Sequence, residues 1–324
     1  MKKIILSETR VDFKYKNIFG RNSDLQVIDG GFIELLKILV KKKSYYHIRY
    51  IKYRGYLLTP LLILVVYFLS KLSRSKIIWT CHNIYEHKIP SKKFNNFLRV
   101  LLSLVSSDII VFHKDLIRYL PSFAQKKIKV ACFGDYKIFI ENQNEENPDF
   151  SAKYNQWLDL RKIDYPELVS ISAAKKNNLA TFLDQLNSSS INCLIIAPNV
   201  NFEQVILNKN IFFYNDGFVK KEIGTILRNN NKLIGLIGHN NISVPTSIYM
   251  YASFGIPIIG IDNKPVNSII KEYSIGEIFQ KNSSLEYLIK IIKDNYSFYS
   301  QNCSKFLKDN NWEKSAEIHK GIFQ

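Results

Sequence analysis

Four polar side chains fall within six positions of the stretch WTCHNIYEHK (79–88): His82, Asn83, Glu86 and His87. Two imidazoles, an amide and a carboxylate set so close can hold a hydroxyl or a phosphate oxygen. A carboxylate beside a bound hydroxyl can also take its proton as a general base. The plainer alternative is a polar loop with a capping histidine. A metal centre fits less well, because no other His, Asp or Glu group in the chain matches this one. A second stretch, ISAAKKNNLATFLDQL (171–186), sets two small residues and two lysines, Lys175 and Lys176, at the start of an amphipathic helix. Small residues let a backbone approach a phosphate, helix N–H groups point at it, and lysine balances its charge. Neither a P-loop nor a dinucleotide glycine fingerprint is present, and a solvated lysine pair is the alternative. The third stretch, GHNNISVPTSIYMYASFGIPIIGID (238–262), places Ser243, Thr246 and Ser247 just ahead of a helix, with Pro245 suited to its first position. Hydroxyls and free N–H groups there would receive a diphosphate, or would simply cap the helix.

Such residues need elements to hold them, and the chain supplies a regular alternation. Runs 2–6, 46–51, 76–80, 108–112 and 128–132 read as strands, with helices over 30–43, 56–73, 91–105 and 114–120. The pattern breaks at 141–164, a polar stretch carrying Pro148, which reads as an interdomain connection. It restarts with strands 167–172, 191–197, 211–214, 233–237 and 256–261 and helices 176–188, 219–230, 245–254, 264–273 and 284–295. Alternating strands and helices imply parallel sheets covered on both faces. The fold class is therefore α/β, with two Rossmann-like domains over about 1–160 and 165–311 facing a central cleft. A final helix, about 312–324, would pack back on the first domain. Ligands of such sheets bind outside the carboxyl ends of the strands, which is where all three stretches begin.

Composition narrows the class. The chain has 324 residues, 46% of them hydrophobic and 23% charged, enough for two packed domains. Its formal charge of +17 calls for an anionic partner: nucleic acid, lipid or a phosphorylated small molecule. Cys81, Cys132, Cys193 and Cys303 lie far apart, which suits a reducing compartment and gives neither a zinc nor a disulfide framework. Met1-Lys2-Lys3 leads straight into a short strand rather than a signal peptide. The apolar stretch Tyr56–Leu72, about 17 residues, sits at the lower edge of a membrane span and reads instead as a buried domain helix. A cytoplasmic protein is expected.

The segment ASFGIPIIGID resembles the small-residue, glycine, proline, strand signature in the second domain of GT-B glycosyltransferases. Preceded by ISVPTSIYMY, it is similar to bacterial surface-polysaccharide members of the capsule and O-antigen kind. WTCHNIYEHK resembles their Trp-Thr-hydrophobic-His-Asn loop, DGFVKKEIGTILRNNNKLIGLI (216–237) their stretch beside the donor base, and VACFGDY (130–136) a strand with a glycine-containing loop. The order of these motifs covers most of the chain. The resemblance implies a nucleotide diphosphate-sugar donor, UDP-linked among the possibilities, bound mainly by the second domain. Phe218 and Val219 would lie beside the base, Lys175 or Lys176 near the diphosphate, and Ser243, Thr246 and Ser247 at a helix start facing it. His82 would face the transferred sugar. The acceptor, a lipid-linked glycan or oligosaccharide, would enter near Arg10, Arg21, Asn83, His87 and the lysines at 41–43. Many retaining relatives carry two glutamates whose matching places here are Ile242 and Met250, which favours an inverting hexosyltransferase-like reaction. Glu86, with Glu8 and Asp12 behind it, would then deprotonate the acceptor hydroxyl. Relatives often have glycine and arginine where Ala173-Ala174 stand. No cofactor or metal is required, since the sequence offers no Asp-x-Asp pair and lysine, hydroxyls and a helix end can balance the diphosphate.

The Lys- and Arg-rich stretches 37–54, 71–76 and 88–99 are interleaved with Tyr, Phe and Leu, as suits peripheral contact with the anionic inner face of a plasma membrane. General Lys and Asn enrichment of a basic protein would look similar. A nucleic-acid binder finds no recognisable motif. A catalytically inactive GT-B-shaped partner subunit, or an epimerase of the same fold, stands as the alternative.

Overall fold

The structure is a computed structural model describing residues 3–7, 13–21, 25–29, 45–50, 53–86, 89, 91–171, 180–198, 207–217, 219–229, 232–239 and 241–323. Its strands are short runs of branched apolar residues, KIIWT and CLII among them, which suit parallel sheets buried on both faces. The first sheet holds β1 (Lys3–Ser7), β2 (Leu25–Asp29), β3 (Tyr45–Ile48), β4 (Lys76–Thr80), β5 (Asp108–Val111) and β6 (Ile128–Val130). Its order is β2-β1-β3-β4-β5-β6, and every pairing is parallel. The second holds β7 (Leu168–Ile171), β8 (Cys193–Ile196), β9 (Ile211–Tyr214), β10 (Ile234–Ile237), β11 (Ile258–Ile261) and β12 (Gly276–Phe279). Its order, β12-β11-β10-β7-β8-β9, is again wholly parallel. The connection direction reverses at β1/β3 in one sheet and at β7/β10 in the other, and ligand sites of such sheets form at these switch points.

The chain divides into unit 1 (Met1–Phe133, Asn241–Val244 and Asn310–Gln324) and unit 2 (Gly134–Asn240 and Pro245–Asp309). This corrects the expected boundary near 160. The stretch 141–164 is no linker: α4 (Lys137–Glu141) and α5 (Pro148–Arg161) occupy it and belong to unit 2. Polarity misled, because α5 buries only Phe150, Tyr154 and Trp157 and shows water a charged face. Unit 1 contains α1 (Phe13–Gly20), α2 (Leu58–Leu72) and α3 (Lys92–Val105). Unit 2 continues with α6 (Ala180–Asn187), α7 (Lys221–Arg228), α8 (Thr246–Ser253), α9 (Val266–Tyr273), α10 (Leu285–Asp294) and α11 (Tyr296–Asp309). The last helix, α12 (Trp312–Ile322), lies in unit 1, where Phe13 of α1 meets Trp312 edge to face.

Each sheet has its own core. Trp79, Leu98, Leu102, Ile109 and Val111 centre one, and Leu168, Phe182, Ile195, Leu236 and Ile259 the other. The described cysteines are free and buried, and burial lifts the Cys132 thiol to about 11. Two helix expectations change. Residues 114–119 form a 3-10 turn, and α2 is not a buried helix: Thr59, Ile63, Val66 and Ser70 face the sheet while Leu61, Leu64, Phe68 and Leu72 face outward. The expected helix over 30–43 lies outside the described residues.

Candidate functional site

In unit 1 the candidate residues cluster at the carboxyl ends of three neighbouring strands. Tyr50 follows β3, His82 follows β4 and Phe112 follows β5. The His82 ring is sandwiched between the other two, 4.8 Å from Tyr50 at 10° and 5.0 Å from Phe112 at 21°. Its Nε2 lies 3.1 Å from the hydroxyl of Tyr15 on α1. Stacking on both faces and a bond at one nitrogen leave this imidazole a single orientation. The Arg49 guanidinium, wholly buried, sits 4.5 Å over the Tyr15 ring, a cation–π arrangement that places positive charge beside the cluster.

Below this layer lie two more histidines. His47 Nε2 is 2.8 Å from Thr80 Oγ1, which pins the end of β4, and His319 Nδ1 is 2.7 Å from the Ser315 carbonyl of α12. Burial holds His319 down to about 4. It also holds His47 well below the usual imidazole range, helped by His319, Arg49 and His82. Both rings are therefore neutral at pH 7 and act as packing groups within a ring of Tyr15, Phe19 and Phe323.

The loop after His82 is held by named bonds. The Glu86 N–H donates to Asn95 Oδ1 at 2.8 Å, and Arg99 donates to the Ile84 carbonyl at 2.9 Å. Glu86 itself is half-buried. Asn83 pairs with Ser243 in an antiparallel bridge, Ile84 N–H donates to the Ile242 carbonyl at 3.0 Å, and Asn241 Nδ2 to the Tyr85 carbonyl at 3.2 Å. Residues 241–243, far along the chain, are thus joined to the loop after β4 inside unit 1. Ile242, standing where many retaining relatives carry a glutamate, packs on the unit 1 core. Arg21 is exposed at the turn after α1. Glu8, Arg10, Asp12 and His87 lie outside the described residues.

In unit 2 the switch point is built by Tyr251 of α8. Its hydroxyl accepts from Ile171 N at 2.9 Å and donates to the Val169 carbonyl at 3.1 Å, tying α8 to β7. The ring crosses β10 where Gly235 leaves room, since a Cβ there would lie 2.5 Å from Tyr251 Cδ2. Gly255, at φ +66°, then turns the chain out of α8 toward β11, as the glycine-proline signature requires. This geometry fixes where α8 begins. Thr246 and Ser247 are its first residues and half-buried, and Pro245 stands one place earlier than expected, at the N-cap. The first N–H groups of such a helix have no intrahelical acceptor, so they are donors for an anion. Asn263 Nδ2 donates to the His239 carbonyl at 2.9 Å, joining the loops after β11 and β10.

Val219, expected beside the donor base, is a buried residue of unit 2. Met250, the second glutamate position, is also buried. Lys175, Lys176 and Phe218 lie outside the described residues. No group of His, Cys, Asp and Glu suited to a metal occurs among the described residues. Reading the sequence missed Tyr15, Arg49, Tyr50 and Phe112. Tyr50 and Phe112 fell inside the expected strands 46–51 and 108–112, whereas they stand just beyond the carboxyl ends of β3 and β5, where ligand-facing side chains of parallel sheets belong.

No protein-family model matches the chain, and no curated protein matches it by sequence. Solved structures do. HepE of Anabaena, in complex with UDP, is similar with a TM-score of 0.68 and 10% identity over 99% of both chains. Sucrose-phosphate synthase of Thermosynechococcus elongatus gives 0.67 and 10% over 100% of this chain and 98% of its own. WaaG, a glycosyltransferase involved in lipopolysaccharide biosynthesis, gives 0.58 and 8% over 99% of both.

Proposed function

With the GT-B fold along its full length as the premise, we propose that this chain is a glycosyltransferase using a UDP-sugar donor. The observation that carries the reading is the likeness, end to end, to a protein solved with UDP, and it is supported by the helix start at the unit 2 switch point. Thr246, Ser247 and the free N–H groups of α8 receive the diphosphate, joined by Lys175 or Lys176. In unit 1, His82 serves the transferred sugar and Glu86 takes the proton of the acceptor hydroxyl. That oxygen attacks the anomeric carbon from the side opposite the diphosphate, the bond to the diphosphate breaks, and UDP leaves with inverted sugar configuration. No metal is assigned, because a helix end and lysine can balance the leaving charge. The acceptor is a hydroxyl of a lipid-linked or oligosaccharide glycan in bacterial surface-polysaccharide assembly, met at the cytoplasmic membrane face.

A second reading, an inactive GT-B-shaped partner subunit, is favoured by Ile242, an apolar anchor where relatives carry a carboxylate. The two separate in one assay. Labelled UDP-sugars are incubated with the protein and a lipid-linked glycan extract, and UDP release is followed with the label in the lipid fraction. Transfer that Glu86→Gln reduces at least about a hundredfold supports the enzyme. UDP binding without any turnover supports the partner subunit.

A further inference from the structure

The formal charge of the protein is not spread along it. Residues 1–133 hold 25 Lys and Arg against 8 Asp and Glu, a surplus equal to the +17 of the whole chain. Residues 134–324 hold 20 of each and are neutral. A composition bias acting on the entire chain would load both parts, so this segregation needs a local cause.

Within unit 1 the surplus frames an unusual surface. Leu57 at the N-cap of α2 and Leu61, Leu64, Phe68 and Leu72 on the helix recur at helical spacing on the side away from the sheet, and Leu57 and Leu72 are 88% and 82% exposed. On α3, Phe97, Val100 and Leu104 form a matching outward row, 50%, 40% and 57% exposed. An aromatic seam joins the two helices near their N-termini: Tyr56 lies 4.7 Å from Phe94, which stacks on Phe97. Neither helix contains an acidic residue. Between Tyr53 and Ser107 Glu86 is the only carboxylate, against eight Lys and Arg. Arg54, Lys71, Arg74, Lys76, Lys92 and Lys93 make no ion pair with a described residue, and all are exposed.

We infer that the outward faces of α2 and α3 form a docking surface for an anionic lipid bilayer. Exposed leucine and phenylalanine enter the boundary between headgroups and chains, while the lysines and arginines at the helix ends meet lipid phosphates. The helices lie on the bilayer and do not cross it. At 15 residues α2 spans about 22 Å, short of the roughly 30 Å hydrocarbon core. Among the described residues no helix is long and apolar enough to cross. A second copy of the chain is the poorer occupant, because pairing this face with itself would bring two sets of unpaired cations together. The inference deepens the reading of an acceptor at a membrane, but its test does not depend on the donor site.

The test is flotation of the full chain with phosphatidylcholine vesicles, with and without phosphatidylglycerol, at low and high salt. The wild type is expected to float only with phosphatidylglycerol, and salt should weaken the binding. Leu61→Glu/Phe68→Glu should lose it at least tenfold, and Lys92→Glu/Lys93→Glu should lose most of the low-salt binding. Both pairs are exposed, so the thermal midpoint and its rise with UDP serve as controls. No flotation of a folded wild type, or unchanged flotation of the Leu61→Glu/Phe68→Glu protein, overturns the inference. A dimer in solution that the same double variant converts to monomer, with no vesicle binding, overturns it in favour of self-association. Flotation without a UDP response would instead remove the donor reading and leave the docking surface standing.

Discussion

The two units carry similar parallel sheets yet use charge in opposite ways. In unit 2 several basic side chains are paired: Lys153 with Asp149 and Asp216, Lys220 with Glu145, Lys221 with Glu146, Arg228 with Glu141, and Lys293 with Glu167. In unit 1 the exposed cations of the α2–α3 face have no such partner among the described residues, and its interior holds two fully buried histidines, His47 and His319. Paired surface charges add little stability. Unpaired ones on a single face create a field that selects an anionic partner. On the functions proposed above, this difference fits a unit 1 that meets an anionic surface and a unit 2 that holds a small ligand at a helix end.

The largest expected effect comes from acid. His319 titrates at about 4 in the folded state against 6.5 when unfolded, so unfolding takes up a proton between those values. The stability present above pH 6.5 is then lost as pH falls toward 4, by about 3 kcal/mol for His319. His47 shifts the same way and adds to it. Urea unfolding at pH 7.5 and pH 5 should show the fall, and His319→Leu should reduce it, leaving the His47 part. A pH-independent midpoint would erase this difference between the units.

Next is Gly235→Ala, whose Cβ would press on the Tyr251 ring and cost about 1–3 kcal/mol in unit 2. Because the ring positions α8, UDP binding should weaken with it. Tyr251→Phe keeps the ring and removes its bonds to Ile171 N and the Val169 carbonyl, for about 1 kcal/mol. The smallest effect is Lys153→Met, which should leave both the thermal midpoint and vesicle binding unchanged. A loss of vesicle binding there would show that the charge contrast is misassigned.

Much of the fold was legible because parallel strands are apolar runs with little ambiguity: KIIWT, CLII and IIGI stand where the alternation predicts them. The edge strands β2 and β12 were not, since LQVID and GEIF mix polar residues into short runs. The outward face of α2 was hidden for a related reason. A helix apolar on all sides reads as buried, and only the structure separates Ile63 and Val66, which face the sheet, from Leu61 and Phe68, which face water. In the candidate site, the position of His82 just beyond β4 was legible from the run KIIWT. The sandwich that orients it was not, because Tyr50 and Phe112 come from other strands and no local pattern connects them.

The central claim, a nucleotide-sugar donor site, is tested most directly by a thermal-shift panel of UDP, GDP, ADP and their sugars at fixed salt. A ligand bound by the folded state alone stabilises it by about 2.7 kcal/mol at a hundredfold excess over its dissociation constant. The account predicts a saturable rise with UDP and UDP-sugars that Gly235→Ala diminishes. A panel in which no nucleotide moves the midpoint of the folded protein would contradict it.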